Sequence, residues 1–196
     1  MNPPPRLRVL LVHDTDRPIA PLLQALTTAG YDALEPVDGA TALLLAVENA
    51  RPDVIIIDTE SPSRDTLEQL SVMGLAAPHP VVMFAAHGDL PVIKAAVSAG
   101  VSAYIVDTVT PEKLAPIIDM ARVRFEEDRR LKQRLAEVEQ QLSDRKLIDR
   151  AKGILMDKRR LTEAEAYELL RRQAMQQGLR VSEIARQLIN AANLLG

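Results

Sequence analysis

Five short apolar runs, Leu7–Val12, Ala33–Val37, Val54–Ile57, Val81–Ala85 and Ala103–Val106, recur through the first 107 residues and constrain the fold more than any other feature. The first, third and fourth are nearly continuous Val, Ile, Leu, Met or Phe, the pattern of parallel strands covered on both faces. Helical stretches such as Pro18–Ala29 and Leu90–Ala99 lie between them, each followed by a glycine (Gly30, Gly100) suited to a C-terminal cap. Strand and helix alternating at this spacing predict a doubly wound α/β domain with five parallel strands.

The chain has 196 residues, 47% hydrophobic and without cysteine or tryptophan. The apolar fraction excludes wholesale disorder, and the absence of cysteine excludes disulfides, thiolate metal sites and cysteine nucleophiles. No apolar run approaches the roughly 18 residues of a membrane span. With no signal-peptide pattern at the N-terminus, a cytoplasmic protein is expected. The net charge of −3 conceals an asymmetry: residues 1–111 carry 6 Lys and Arg against 13 Asp and Glu, whereas residues 112–196 carry 18 against 14. A basic back half is either a polyanion-binding surface or a salt-bridged helical one.

Ligand sites in doubly wound sheets form outside the carboxyl ends of the strands. Asp14 and Asp16 follow the first run, Asp58 ends the third and Asp107 follows the fifth. Such carboxylates either gather around a hard divalent cation or cap turns. The histidines His13, His79 and His87 lack metal-ligand spacing, and His79 and His87 are expected at the surface. Without a Walker loop, a GxGxxG or a GxSxG elbow, the chain has no catalytic candidate and is not expected to be an enzyme.

The segments LLVHD, VIIIDTESPSRDTLE and GVSAYIVDTVTPEKL resemble a response-regulator receiver domain, which implies a flavodoxin-like fold. In that family an aspartate at the position of Asp58 accepts a phosphoryl group. An acidic pair after the first strand helps hold Mg²⁺, while a hydroxyl and a lysine after the fourth and fifth strands contact the phosphoryl oxygens. Here His13 replaces the first acid and leaves Asp14, Ala85 replaces the hydroxyl, and Asp107 replaces the lysine. The resemblance therefore implies a degraded pocket, a pseudo-receiver, in which Asp14 and Asp58 are the remaining candidates for Mg²⁺ and no cofactor is required.

Thr110-Pro111-Glu112 reads as a helix start. From there to about Met156 the sole interruptions are Pro116 and Gly153. Leu131, Leu135, Val138 and Leu142 follow heptad spacing, which predicts a short parallel coiled coil and a homodimer. The basic loop Asp157–Arg160 is expected to end this helix. A second helix starts at the capping box Thr162-Glu163-Ala164-Glu165 and runs to Gly178, and a third starts near Ser182. Ile148, Leu155, Tyr167, Leu170, Ala174, Ile184 and Leu188 mark one small shared core, and Gly153 is expected to admit another backbone. The implied divisions are residues 1–120, a helical linker 121–142, and an all-α module 143–196.

The elements RKLIDRAKGILM, EAYELLRRQAM and RVSEIARQLI, in this order, resemble the three-helix ANTAR domain, an RNA-binding module of transcription antiterminators. With the receiver-like front, the chain is similar to NasT-type regulators of nitrate and nitrite assimilation. Those also carry an aspartate after the fifth strand. The resemblance implies binding of paired stem-loops with hexanucleotide loops in leader mRNA, which excludes a terminator hairpin. It further implies control by a NasS-like nitrate-sensor protein in the cytoplasm. The candidate RNA contacts are Arg145, Lys146, Lys152, Arg171, Arg172, Arg180 and Arg186, each of which could equally be a solvated helix residue, and Arg171 could instead brace Glu168. Tyr167, on the apolar stripe, is not expected to stack on bases. Two alternatives stay open: a conventional phosphorelay regulator activated by phosphorylation of Asp58, and an adaptor that binds only proteins. DNA reading is disfavoured, because the last two helices lack closely spaced Arg, Gln and Asn.

Overall fold

The computed structural model describes residues 6–39, 43–106 and 110–194. The chain divides into two compact units, residues 1–129 and 130–196. The first unit is built on a parallel sheet of strands β1 (Arg8–Asp14), β2 (Asp32–Ala33), β3 (Val37–Asp38), β4 (Val54–Thr59), β5 (Val81–Ala85) and β6 (Ala103–Val106). The order is β2-β1-β4-β5-β6, with β3 also pairing to β1. The continuous apolar runs take the centre: β4 and β5 are buried along their whole length, and the edge strand β6 is only partly so.

Period-two alternation divides the core. Val9, Leu11, Val54, Ile56, Val82 and Phe84 face α1 (Ala20–Thr28) and the start of α5, where Leu114, Ile118 and Ala121 meet them. Leu10, Val12, Ile55, Ile57, Val81 and Met83 face α2 (Leu43–Ala50), α3 (Arg64–Ala76) and α4 (Leu90–Ser98). The second predicted strand, Ala33–Val37, is two short pairings, because Pro36 lacks the amide a continuous ladder would use. Gly30 and Gly100 adopt φ of 88° and 105° after their helices, as caps require.

Helix α5 (Pro111–Arg159) is longer than expected. Asp157, Lys158 and Arg159 form its last turn, where the two cations complement the carbonyl end of the helix. The break comes at Arg160, which takes φ 55°. Thr162 and Glu165 close the expected capping box on α6 (Glu163–Gln177), and Gly178 ends that helix at φ 65°. Helix α7 (Val181–Leu194) starts one residue before Ser182, and the Arg180 amide donates to Glu183 Oε2 at 2.7 Å, so Glu183 rather than Ser182 provides this cap.

The core of the second unit comprises Ala151, Leu155, Ala166, Leu170, Ala174, Ile184, Ala185 and Ile189, with Ile148 and Leu188 packed against it. Tyr167 corrects the sequence expectation: it is 42% exposed and outside this cluster. Gly153 is a second correction. A Cβ built there meets nothing within 4 Å, so no backbone approaches it. No helix among the described residues is long and apolar enough to cross a membrane.

Candidate functional site

At the carboxyl end of the sheet, His13 on β1 lies in register with Asp58 on β4, and Asp14 with Thr59. Lateral neighbours in a parallel ladder project to the same side, which brings the His13 imidazole beside the Asp58 carboxylate. His13 Nδ1 is 3.5 Å from Asp58 Oδ2, a long contact, and is buried without a hydrogen bond. The opposite oxygen is engaged tightly. Arg17, in the loop after β1, brings its guanidinium to 2.6 Å from Asp58 Oδ1, and the same nitrogen donates to the Thr59 carbonyl at 3.0 Å. Thr15 Oγ1 accepts from the Arg17 main-chain amide and Nε, at 3.3 and 3.4 Å. Asp58 itself is 8% exposed. Burial holds its carboxyl above the ordinary carboxylate range, with Arg17 and then His13 opposing the shift.

Sequence reasoning missed Arg17. Its signal was available: it is one of 6 basic residues in the first 111 and lies in the loop after β1 with Asp16, three residues past Asp14. The guanidinium engages one of the two Asp58 carboxylate oxygens, Oδ1. Asp14 and Asp16 are exposed, and among the described residues no three acidic or histidine side chains converge as metal ligands. A cation bound through Asp58 Oδ1 would have to displace the Arg17 guanidinium, with Asp14 the nearest further carboxylate along the strand end. Ala85 is fully buried at the end of β5, and Asp107 lies outside the described residues. His87 is exposed, whereas His79 is half-buried with Nδ1 2.8 Å from the Ala77 carbonyl oxygen.

In the second unit the candidate RNA contacts fall into different states. Lys152, 15% exposed, places Nζ 2.7 Å from both Asp149 Oδ1 and Glu163 Oε1, tying α5 to α6. These hydrogen bonds hold its ammonium pKa above the ordinary value and the Asp149 carboxyl below its own. Arg145 reaches Asp149 at 3.9 Å, and Arg171 reaches Glu168 at 3.4 Å, both at the surface. Such exposed pairs are worth roughly 0–1 kcal/mol and release their cations readily. Lys146, Arg172, Arg180 and Arg186 are exposed, as is Arg150, one turn after Lys146 on α5. Lys152 thus has internal partners while the others remain available to a phosphate backbone.

The chain matches a response regulator receiver domain over residues 9–119 and an ANTAR domain over residues 136–189. It is similar to the transcriptional regulatory protein PdtaR of Mycobacterium tuberculosis, at 32% identity over 179 residues, covering 91% of this chain and 87% of that protein. A nitrate regulatory protein of Klebsiella oxytoca shares 35% identity over 78 residues, 40% of this chain and 20% of its own length. The signal receiver domain of a modulated diguanylate cyclase from Desulfovibrio desulfuricans matches in fold, with a TM-score of 0.55 at 21% identity, over 63% of this chain and 99% of that one. With a receiver match followed by an ANTAR match, and a relative at 32% identity aligned over 91% of the chain, the chain belongs to the family of ANTAR-containing response regulators.

Proposed function

We propose that this protein is a cytoplasmic transcription antitermination regulator that binds paired hairpins in nascent leader RNA and so prevents a terminator from forming. It is a binding protein and not an enzyme. The observation that carries the reading is the ANTAR match over α5–α7, on helices whose Lys146, Arg150, Arg172, Arg180 and Arg186 are solvent-exposed. RNA phosphates are met by such cations, while specificity comes from loop bases.

Control by a partner protein rather than by phosphorylation is the reading that the Asp58 pocket favours. A phosphoryl donor would have to displace Arg17 from Asp58 Oδ1 and would find Ala85 where a hydroxyl is needed. Nitrate and nitrite assimilation genes are the proposed targets, with a NasS-like nitrate sensor as the controlling partner. The resemblance to NasT-type regulators and the similarity to a nitrate regulatory protein support this. A homodimer through α5 is supported by Leu131, Leu135, Val138 and Leu142, 53–65% exposed along one heptad stripe. The proposed division is a receiver-like domain over 1–120, a linker over 121–142 and an RNA-binding domain over 143–196.

The test is fluorescence anisotropy of the full chain with a labelled two-hairpin leader RNA and with duplex DNA of equal length, across a salt series. Preferential RNA binding by unphosphorylated protein, weakening as salt rises, is the expected result. Asp58→Asn should bind RNA and promote readthrough like the parent protein. Loss of readthrough in that variant, or RNA binding that appears only after treatment with a phosphoryl donor, would replace this reading with the conventional phosphorelay one.

A further inference from the structure

A groove of about 800 Å³ runs along the junction of α5 and α6 in the second unit. Its volume lies within the roughly 300–1,000 Å³ range of small-ligand sites. The apolar wall is formed by Ile148, Met156 and Tyr167, the last two about two-fifths exposed. Gly153 lines it as well, and the open space over its Cα means that α5 presents bare backbone to the groove. Three carboxylates, Asp144, Asp149 and Glu163, stand around the wall, against Arg145 and the already paired Lys152.

These features select an occupant. A phosphate would be repelled by three carboxylates when one of the two nearby cations is held between two of them. A flat, neutral, aromatic group with amine hydrogens is favoured on every count. Tyr167 offers a face for stacking, glycine leaves space, and carboxylate oxygens accept from exocyclic amines. Cations stand beside the groove rather than in it: Lys146 and Arg150 form the next stripe along α5, and Arg171 lies one turn beyond Tyr167 on α6.

We infer that this groove holds one unstacked nucleobase bearing an exocyclic amine, splayed from an RNA loop, with Tyr167 as its stacking platform and the flanking cations on the adjoining phosphates. The inference rests on the RNA-binding reading and adds to it the place where sequence is read. In the free protein Arg171 is paired with Glu168 at 3.4 Å, a surface contact it can exchange for a phosphate.

The experiment uses the full chain and the two-hairpin RNA, with each loop nucleotide replaced in turn by an abasic residue or by uridine. Tyr167→Ala and Gly153→Leu should each weaken binding about 10- to 100-fold, the scale of one stacked base, while Tyr167→Phe stays near the parent. The salt dependence should keep its slope in both weakened variants, because no phosphate contact is lost. One abasic position should cost the parent a similar factor yet cost Tyr167→Ala little more, since both remove the same contact. Unfolding midpoints of Tyr167→Ala and Gly153→Leu guard against misfolding as the cause, and that of Gly153→Leu should match the parent's, since a Cβ there meets no atom within 4 Å. Parent-like affinity in both Tyr167→Ala and Gly153→Leu, or no loop position that loses its effect in Tyr167→Ala, overturns the inference while leaving RNA binding intact. Absence of RNA binding by the parent chain overturns the function itself.

Discussion

The two units treat their charged groups in opposite ways. In the first, the functional candidates neutralise one another. Arg17 closes on Asp58 at 2.6 Å, His13 flanks the other oxygen, and the cluster lies at the carboxyl end of the sheet, where the fully buried β4 ends. In the second, the core is small and rich in alanine, and most of the cations are on the surface, with Lys152 the main exception. On the proposed reading, the counter-ion of Asp58 hinders a phosphoryl group, whereas Lys146, Arg150, Arg172, Arg180 and Arg186, exposed on three packed helices, meet the RNA.

The largest expected break in this comparison is Ile56→Ala, at the centre of β4. Leaving a cavity where Ile56 is fully buried should cost about 2–5 kcal/mol. Thermal or urea unfolding should register the loss in the first unit, while RNA affinity measured below the transition is unchanged. A parallel fall in affinity would mean that the sheet does more than carry the pocket.

Next in size is the double change Lys146→Ala with Arg150→Ala. Losing two phosphate contacts should flatten the dependence of log K on log salt by about 1.4–1.8. Lys152→Ala should change that slope far less, because its charge is spent on Asp149 and Glu163. Equal slopes in the two variants would erase the distinction between free and engaged cations.

Smaller again is Thr162→Ala, which removes the capping box of α6 and should cost about 1 kcal/mol, read as a lower unfolding midpoint of the second unit. The most modest effect concerns pH. Because burial raises the Asp58 carboxyl above the ordinary carboxylate range, the folded state binds that proton more readily than the unfolded chain does. Its contribution to stability is therefore present at acid pH and is lost as pH rises from about 4 through the raised value. Asp58→Asn should remove this slope from the difference between variant and parent. A slope of the opposite sign would mean that Arg17 outweighs burial.

Much of the fold was legible because its signals are local. Three continuous apolar runs became the buried strands β1, β4 and β5, and Thr162 with Glu165 became a capping box at three-residue spacing. The stretch with few helix breakers became α5, although its end lay past the expected loop. The sites were less legible because their geometry joins residues distant in sequence. Arg17 meets Asp58 across 41 positions, and Lys152 meets Glu163 across 11. Tyr167 shows the limit of periodicity. It sits at core spacing, yet the smaller Ala166 and Leu170 fill the interior and leave the ring in the groove.

The sequence by itself therefore determined the central strands, the succession of helices, the capping box of α6 and the two families joined in one chain, since period, cap chemistry and motif order are written within a few residues of each other. Only the tertiary structure decided which charges cancel and which remain exposed. Ion pairs form over a few ångströms of space, and the parallel sheet that brings β1 beside β4, like the packing of α6 on α5, creates that proximity only after the chain has folded.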